Sequence, residues 1–347
     1  MTCYHPLIRY EYYDQYKCID GHMAYKAKVI KLGPGEDYED MEERVRSGLI
    51  RNRQIIPCGK CIGCRLEYSK DWATKGCLEA ESYSENWFLT ITYNQDHLPE
   101  AGTMIDPKTG EEMGQNPFGT LRSEDWTLFL KKLRQYYKRK YNHNKIRYMA
   151  CGEYGEQYSR PHYHAIMYNL PLHNMAFHAY NENHEALYRC LELEEIWSKG
   201  MIVAAPVNWN TCAYVARYIT KKVGLPTQEE YYNCLGVAPE FFRMSRKPGI
   251  GRTYFETHTE EIYKKDCLTV QKYGGGKMKV RPPKYYDKLY DKINHDELER
   301  LKAKRRKASE EIRKVKYIQS TALKKDSLLE EEKTKTGKTK ALIRTKV

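Results

Sequence analysis

The sequence predicts an α+β fold built on an antiparallel sheet, and two kinds of pattern support this prediction. Four segments alternate β-branched or aromatic residues with other types, as strands do, at 87–93, 145–151, 161–168 and 201–207. Two segments space their apolar residues as helices do, at 123–141 and 184–198. The order β-α-β-β-α-β is ferredoxin/RRM-like, with helices on one face, the other face open to a ligand, and the first and third strands as central neighbours.

Further helices flank this arrangement. A helix is predicted at about 65–82, before the first strand, because its small and apolar residues form one stripe. After the last strand, Asn210 can cap a helix that Gly224 ends. The segment 296–319 predicts a solvated helix, and the stretch beyond it is rich in charge and predicted to be disordered.

Charge and composition favour a nucleic-acid partner. The chain has 347 residues, a net charge of +13, and 31 tyrosines against 7 phenylalanines and 5 tryptophans. Basic charge attracts a polyanion, and tyrosine stacks on bases while remaining wettable. No apolar run of membrane-spanning length and no signal peptide are evident, so a cytoplasmic protein without a membrane partner is expected. Eleven cysteines, several in apolar-periodic segments, indicate a reducing compartment.

Four regions follow from these patterns. Residues 1–57 form a polar, tyrosine-rich N-terminal extension, and residues 58–225 hold a cysteine cluster followed by the predicted sheet. Residues 226–283 are a mixed accessory region, and residues 284–347 are a basic helical or disordered arm. A P-loop-like "TGKTK" in that arm predicts no triphosphate site, because Glu332 replaces the first glycine and no strand precedes it.

"PHYHAIMY" places His162 and His164 two residues apart on one strand. Side chains at i and i+2 face the same way, about 6 to 7 Å apart at the backbone, and can converge on one cation. Glu153 is the expected third ligand, because a turn after the second strand would bring it back beside the third; Glu156 is the alternative. Two histidines and a carboxylate suit Mg²⁺ or Mn²⁺. Two hydrogen-bonded histidines in a half-buried strand remain the simpler reading.

"AYVARYITKK" places Tyr214 and Tyr218 one turn apart on a helical face that Arg217 and Lys221 extend. An ordinary amphipathic helix explains the pattern equally well. Tyrosine is also a nucleophile for phosphoryl transfer, and its phenol, with a pKa of about 10, needs help to ionise. The Lys221 ammonium or a bound metal would supply that help.

"CGKCIGC" contains three thiols at a spacing that can bind zinc, with a fourth ligand from elsewhere. The three are Cys58, Cys61 and Cys64, and the candidates for the fourth ligand are Cys77, Cys3 and His5. Packed thiols at a helix start are the alternative.

Together these motifs resemble the HUH rolling-circle replication initiators. "WFLTITY" resembles the first motif of that family, "RPHYHAI" the second, and "YVARYITKK" the nucleophile motif. The paired tyrosines followed by Lys-Lys resemble initiators of the microviruses, which are small single-stranded DNA phages. "PCGKCIGCRLEYSKDWA", "ITYNQDHLP" and "CGEYGE..RPHYH" are similar to the gokushovirus branch. The resemblance covers about residues 55–225.

The resemblance implies an HUH endonuclease that nicks single-stranded DNA at a replication origin. Tyr218 or Tyr214 would attack phosphorus, leaving a 5′-phosphotyrosine and a free 3′-hydroxyl, and the covalent bond would later be rejoined without ATP. The metal ligands would be His162, His164 and Glu153, which fits the family better than Glu156. A host DNA polymerase and helicase would be partners, in the bacterial cytoplasm. DNA contacts are predicted from Arg160, Arg217 and Lys222.

Three other readings fit parts of the sequence. A basic single-stranded DNA-binding or packaging protein with a structural zinc site would bind DNA without a covalent adduct. A non-haem iron oxygenase also uses two histidines and a carboxylate, but it predicts a double-stranded β-helix instead of alternating strands and helices. A relaxase or transposase would share the chemistry.

Overall fold

A computed structural model describes residues 3–17, 23–31, 50–143, 145–155, 159–181, 184–221, 228–271, 276–319 and 324–343. The chain divides into two compact units. The first comprises the described residues of 1–67 and 305–345, and the second those of 68–304.

Strands and helices alternate along much of the described chain. The strands are β1 (Leu7–Lys17), β2 (Met23–Lys31), β3 (Asn52–Ile56), β4 (Asn86–Thr92), β5 (Thr103–Ile105), β6 (Glu112–Gln115), β7 (Arg147–Tyr154), β8 (Pro161–Tyr168), β9 (Met175–Tyr180), β10 (Ala186–Cys190), β11 (Ile202–Pro206), β12 (Phe241–Met244), β13 (Leu268–Gln271) and β14 (Lys277–Val280). The helices are α1 (Ile62–Ala80), α2 (Ser123–Tyr141), α3 (Leu191–Trp197), α4 (Trp209–Lys221), α5 (Gln228–Cys234), α6 (Arg252–Lys265), α7 (Lys284–Tyr290), α8 (His295–Gln319) and α9 (Lys324–Ile343).

A seven-stranded sheet dominates the second unit, in the order β12-β7-β8-β4-β11-β10-β9, with every neighbouring pair antiparallel. Its central strands β7, β8, β4 and β11 are the four strands that the sequence predicts. The first and third predicted strands, β4 and β8, are neighbours, with Thr90 opposite His164. The mixed α+β class and the central position of the histidine strand are therefore confirmed.

Helices cover both faces of this sheet, so the prediction of helices on one face is wrong. α2 and α3 pack on one face, where Trp126, Phe129 and Leu193 meet Ala165 and the other apolar residues on that side of the strands. Ala73 of α1 and Val215 of α4 pack on the opposite face. The reason lies in the strands themselves. β8 is buried along nearly its whole length and carries apolar side chains toward both faces, and each face must be removed from water.

The sheet face that carries the histidines is therefore not open. Ile166 and Tyr168 on that face belong to the same apolar cluster as Cys212 and Val215 of α4. α4 begins at Trp209 because Asn208, not the predicted Asn210, caps it: the Thr211 backbone N–H donates to Asn208 Oδ1 at 3.0 Å.

The predicted helix at 184–198 is wrong in its first half. Residues Ala186–Cys190 form β10, and only Leu191–Trp197 are helical. Leu187 and Leu191 stand four apart as in a helix, but pairing of β10 with both β9 and β11 overrides that local pattern. The edge strand β9 was not predicted, because its side chains are mostly exposed and give no core signal.

The C-terminal arm is helical where it is described. α8 agrees with the helix predicted at 296–319, but α9 occupies a stretch predicted to be disordered. Lys, Glu, Leu and Ala dominate α9, and their high helix propensity accounts for the difference.

Two smaller sheets and one further core complete the second unit. The β5–β6 and β13–β14 pairs are hairpins. In the accessory region, Phe255 and Ile262 of α6 pack with Val270 and Tyr286 in a separate apolar cluster. In the first unit, β1 lies between β2 and β3 in a three-stranded antiparallel sheet. Within the described ranges, no helix has both the length and the apolar composition needed to cross a bilayer.

Candidate functional site

Strand register brings one carboxylate and two imidazoles together. Glu153 of β7 lies directly opposite His162 of β8, and His164 follows two residues along the same strand. β7 continues to Tyr154, so Glu153 lies within the strand and not after it, as the sequence had suggested. Antiparallel pairing, and not a turn, therefore sets the position of this carboxylate.

The side chains of these three residues meet at a single oxygen. Glu153 Oε1 lies 2.8 Å from His162 Nε2 and 2.8 Å from His164 Nε2. The Tyr214 hydroxyl of α4 donates to the same oxygen at 2.9 Å. The predicted Tyr214, Glu153, His162 and His164 therefore form one cluster between β7, β8 and α4, which we call the Glu-His-His cluster.

The other nitrogen of each imidazole is also engaged. His162 Nδ1 lies 3.0 Å from the backbone carbonyl oxygen of Arg160, which can only accept a hydrogen bond. His164 Nδ1 lies 3.1 Å from Thr90 Oγ1, and the Phe88 ring stacks on the His164 ring with centroids 5.2 Å apart. With Nδ1–H of His162 donating to a carbonyl, its Nε2 lone pair points to the centre of the cluster, as in many metal-binding histidines.

The cluster is buried, and its charges are strongly coupled. Burial alone would raise the pKa of Glu153, but His164 and His162 outweigh burial and lower that pKa to about 2. Burial lowers the pKa of His162, yet the Glu153 carboxylate outweighs it and raises the pKa overall. For Tyr214, burial first and then the carboxylate raise the pKa of the phenol well above its ordinary value. Tyr214 is therefore a hydrogen-bond donor to an ionised Glu153.

These residues fit a divalent cation. The ligand atoms of Glu153, His162 and His164 lie within 4.8 Å of one another, and two imidazoles with one carboxylate suit a divalent metal with open positions. Glu153 Oε2 is buried and makes no hydrogen bond within the described part of the chain. A buried carboxylate oxygen without a partner is costly, and a cation would satisfy it.

The rest of the predicted nucleophile motif is placed in part. Tyr218 and Lys221 belong to α4, but their side chains lie outside what the structure describes, as do Lys222 and Glu156 altogether. The Arg217 guanidinium lies 5.6 Å from the centroid of the Tyr214 ring, and burial lowers its pKa. Arg217 therefore places positive charge next to the tyrosine.

Arg160 is held at the end of β4. Its guanidinium donates to the Tyr93 carbonyl oxygen at 3.1 Å and to Gln95 Oε1 at 3.0 Å. The predicted DNA-binding side chain therefore also ties together the segments that follow β4 and precede β8.

The three cysteines of "CGKCIGC" also come together. Cys58, Cys61 and Cys64 gather with Cys3, their sulfurs within 4.8 Å of one another. Of the other two candidates for a fourth member, His5 contacts Glu332 at 2.7 Å, and Cys77 lies in α1 against the sheet-facing cluster.

Sequence reasoning missed two residues that support the histidines, Thr90 and Phe88. Both lie in "WFLTITY" at alternate positions, so they share the face that β4 presents beside His164. A threonine hydroxyl on an otherwise apolar strand was the available signal. Its partner could not be read without the register.

Comparison with known proteins agrees with this arrangement. Residues 86–223 match the family model of the replication-associated protein ORF2, a range that runs from the first residue of β4 to just beyond α4. No solved structure matches the chain significantly.

Three phage proteins are similar over longer or shorter ranges. The replication-associated protein ORF2 of Spiroplasma virus 4 is 33% identical over 294 residues, covering 83% of this chain and 85% of that protein. The replication-associated protein VP4 of Bdellovibrio phage phiMH2K is 28% identical over 70% of this chain and 69% of its own length. The replication-associated protein ORF4 of Chlamydia phage 1 is 32% identical over 48% of this chain and 38% of its own. The chain therefore belongs to the family of replication-associated proteins of microvirus-like phages.

Proposed function

We propose that the protein is a rolling-circle replication initiator that nicks single-stranded origin DNA by tyrosine attack. The observation that carries this proposal is the convergence of the Tyr214 hydroxyl, His162 and His164 on Glu153 Oε1. A nucleophile and a cation site within hydrogen-bond distance of each other are what phosphodiester transesterification needs. The names of the phage relatives, all replication-associated proteins, support a role in replication.

The strand order supports an HUH-type fold for this activity. In the sheet, β11, β4, β8 and β7 are consecutive neighbours, which is the order of the four strands in a ferredoxin-like β-α-β-β-α-β unit. The hairpin partner β9, the strand β10 and the added β12 extend that unit at its edges. We assign the nicking activity to residues 58–225, a range that contains the family match at 86–223.

Each cleavage exchanges one phosphodiester bond for another. The tyrosine oxygen attacks phosphorus, the bond from phosphorus to the 3′ oxygen breaks, and the 3′ oxygen leaves with the electron pair and takes up a proton. The phenolic proton is released to solvent. The products are a 5′-phosphotyrosine and a free 3′-hydroxyl that a host DNA polymerase can extend. In the reverse direction a 3′-hydroxyl attacks the phosphotyrosine, so rejoining consumes no nucleotide.

Glu153, His162 and His164 are the residues that would hold the divalent cation, Mg²⁺ or Mn²⁺. When bound, it would polarise the scissile phosphate and stabilise charge on its oxygens. The raised pKa of Tyr214 means that its phenol needs positive charge nearby to ionise. Arg217 supplies one such charge next to the ring, and we assign the same role to Lys221.

Two tyrosines on one helix suit repeated cleavage. Tyr218 follows Tyr214 by one turn of α4, so a second nucleophile is available while the first holds a DNA end. We assign contacts with the DNA backbone to Arg160, Arg217 and Lys222. A host helicase would supply strand separation, and the reaction would take place in the host cytoplasm.

A denaturing gel tests the proposal directly. The full chain is incubated with single-stranded origin DNA and Mn²⁺, and a covalent protein–DNA band is expected. Tyr214→Phe should reduce the band, and Tyr214→Phe with Tyr218→Phe should abolish it. Tyr180→Phe is the matched control, because this exposed tyrosine lies on the edge strand β9. DNA binding without any covalent band would refute the proposal and favour a non-enzymatic DNA-binding protein.

A further inference from the structure

Four cysteines from three separate segments meet in the first unit. Cys3 precedes β1, Cys58 and Cys61 lie in and after the loop that follows β3, and Cys64 lies in the first turn of α1. We infer that these four thiolates bind one structural Zn²⁺, which we call the tetrathiolate site. The site is separate from the Glu-His-His cluster and does not depend on the proposed nicking activity.

Sulfur distances favour a metal over disulfides. Cys58 Sγ lies 3.9 Å from Cys64 Sγ, and Cys61 Sγ lies 3.9 Å from Cys3 Sγ. A disulfide would need about 2.0 Å. Four sulfurs at about 2.3 Å from a tetrahedral zinc ion lie about 3.8 Å from one another along each edge. Both measured pairs match the edge of such a tetrahedron.

The backbone around the cysteines donates to the sulfurs. The N–H groups of Lys60 and Cys61 point to Cys58 Sγ, with nitrogen–sulfur distances of 3.4 and 3.3 Å. Gly59, at φ 75°, allows the tight turn that aims both of these donors. Two further bonds follow the same pattern, from Cys58 N to Cys3 Sγ at 3.2 Å and from Tyr4 N to Cys61 Sγ at 3.4 Å.

These N–H donors indicate a prepared thiolate site. Hydrogen bonds to sulfur stabilise negative charge and orient metal ligands. Without a cation, four thiolates this close would repel one another. The donors and the sulfur spacing therefore complement each other only when a metal is bound.

A thin apolar core gives the site a structural role. The described apolar residues that are buried in the first unit are few, and none belongs to the three large apolar clusters: Tyr4, Ile8, Tyr10, Ile50 and Cys61. On β2, Met23 and Val29 are about half exposed. Small units that bury so little apolar surface commonly need a metal or disulfides for stability. The tetrathiolate site links the start of β1 to the segment between β3 and α1.

Zinc is the metal that fits this site best. A closed set of four thiolates is typical of structural zinc, whereas Mg²⁺ and Ca²⁺ prefer oxygen ligands. Iron also accepts four thiolates, so the experiment must distinguish these two metals.

Metal analysis of the full-length protein tests the inference. The chain is purified under reducing conditions and dialysed against a mild chelator, and its metals are measured by inductively coupled plasma mass spectrometry. One zinc per chain is expected in the wild type, in His162→Ala/His164→Ala, and in Cys267→Ser, the control for a thiol outside the site. Cys3→Ser and Cys64→Ser should each lose most of the zinc.

Cobalt substitution adds a readout that does not depend on the stability of the serine variants. Reconstitution with Co²⁺ should give thiolate-to-cobalt charge-transfer absorption and the intense visible bands of tetrahedral cobalt. Cys3→His should retain the metal with a weaker charge-transfer band. Zinc absent from the wild type, iron in its place, zinc content unchanged in Cys3→Ser and Cys64→Ser, or a disulfide among the four cysteines would each overturn the inference.

Discussion

The seven-stranded sheet and the three-stranded sheet of β1–β3 achieve stability by different means. The larger sheet buries apolar side chains on both faces, in two extensive clusters. The smaller sheet has few buried apolar residues, and a cysteine cluster lies beside it. A large apolar core can accommodate a polar cluster such as Glu153 with its histidines, whereas a small core needs additional crosslinks. The comparison predicts that metal ligands serve chemistry in one sheet and folding in the other.

The largest effect is expected from the histidines of the larger sheet. His162→Ala removes one ligand of the proposed cation, and nicking should fall by more than about a hundredfold, because charge stabilisation at the reacting phosphate is lost. The fold should persist, since the apolar clusters on both faces remain. The measurement is the initial rate of covalent adduct formation with Mn²⁺, alongside circular dichroism.

His178→Ala is the matched control for this variant. His178 lies on the exposed edge strand β9, away from the Glu-His-His cluster, and its replacement should leave the rate unchanged. Full activity of His162→Ala would contradict the metal assignment.

The second effect concerns removal of the metal from the smaller sheet. A strong chelator should make residues 3–56 at least about tenfold more sensitive to limited proteolysis, because metal binding there contributes to folding. Residues 86–206, which span β4 to β11, should stay protected. Fragments identified by mass spectrometry distinguish the two regions. Equal sensitivity of both regions, or no change in either, would remove the proposed difference between the sheets.

The smallest effect comes from a buried charge that only a large core can accommodate. Lys75 of α1 is almost fully buried against Trp72, and burial lowers its pKa to about 8. Below pH 8 the lysine is charged in both the folded and the unfolded chain, and its burial destabilises the fold. Between about pH 8 and 10.5 the unfolded chain binds more protons, so the penalty fades as the pH rises.

Lys75→Met should therefore raise the free energy of unfolding by about 1 to 2 kcal/mol at pH 7, because the cation–π contact with Trp72 offsets part of the penalty. The advantage over the wild type should shrink as the pH rises toward 10.5. Denaturant titrations of both proteins at several pH values provide the measurement. A constant difference across that range would show that Lys75 is not the titrating group.

Local pattern in the sequence was sufficient for the central elements. Alternation identified β4, β7, β8 and β11, and helical spacing identified α2 with both of its ends. These segments are long or strongly periodic, and their burial agrees with their local preference. The residues of the Glu-His-His cluster and the three cysteines of "CGKCIGC" were also predicted from residue type and spacing alone.

Only the tertiary structure decided which residues meet. Register places Glu153 opposite His162 and Thr90 opposite His164, and register depends on pairing between distant segments. Cys3 joins Cys58 across 55 positions of the chain, a choice that left two other candidates equal in the sequence. The same cause explains β10, where pairing on both sides overrode a helical pattern. Short-range pattern reports a residue's local preference, while a binding site depends on contacts that the folded chain makes over long sequence separations.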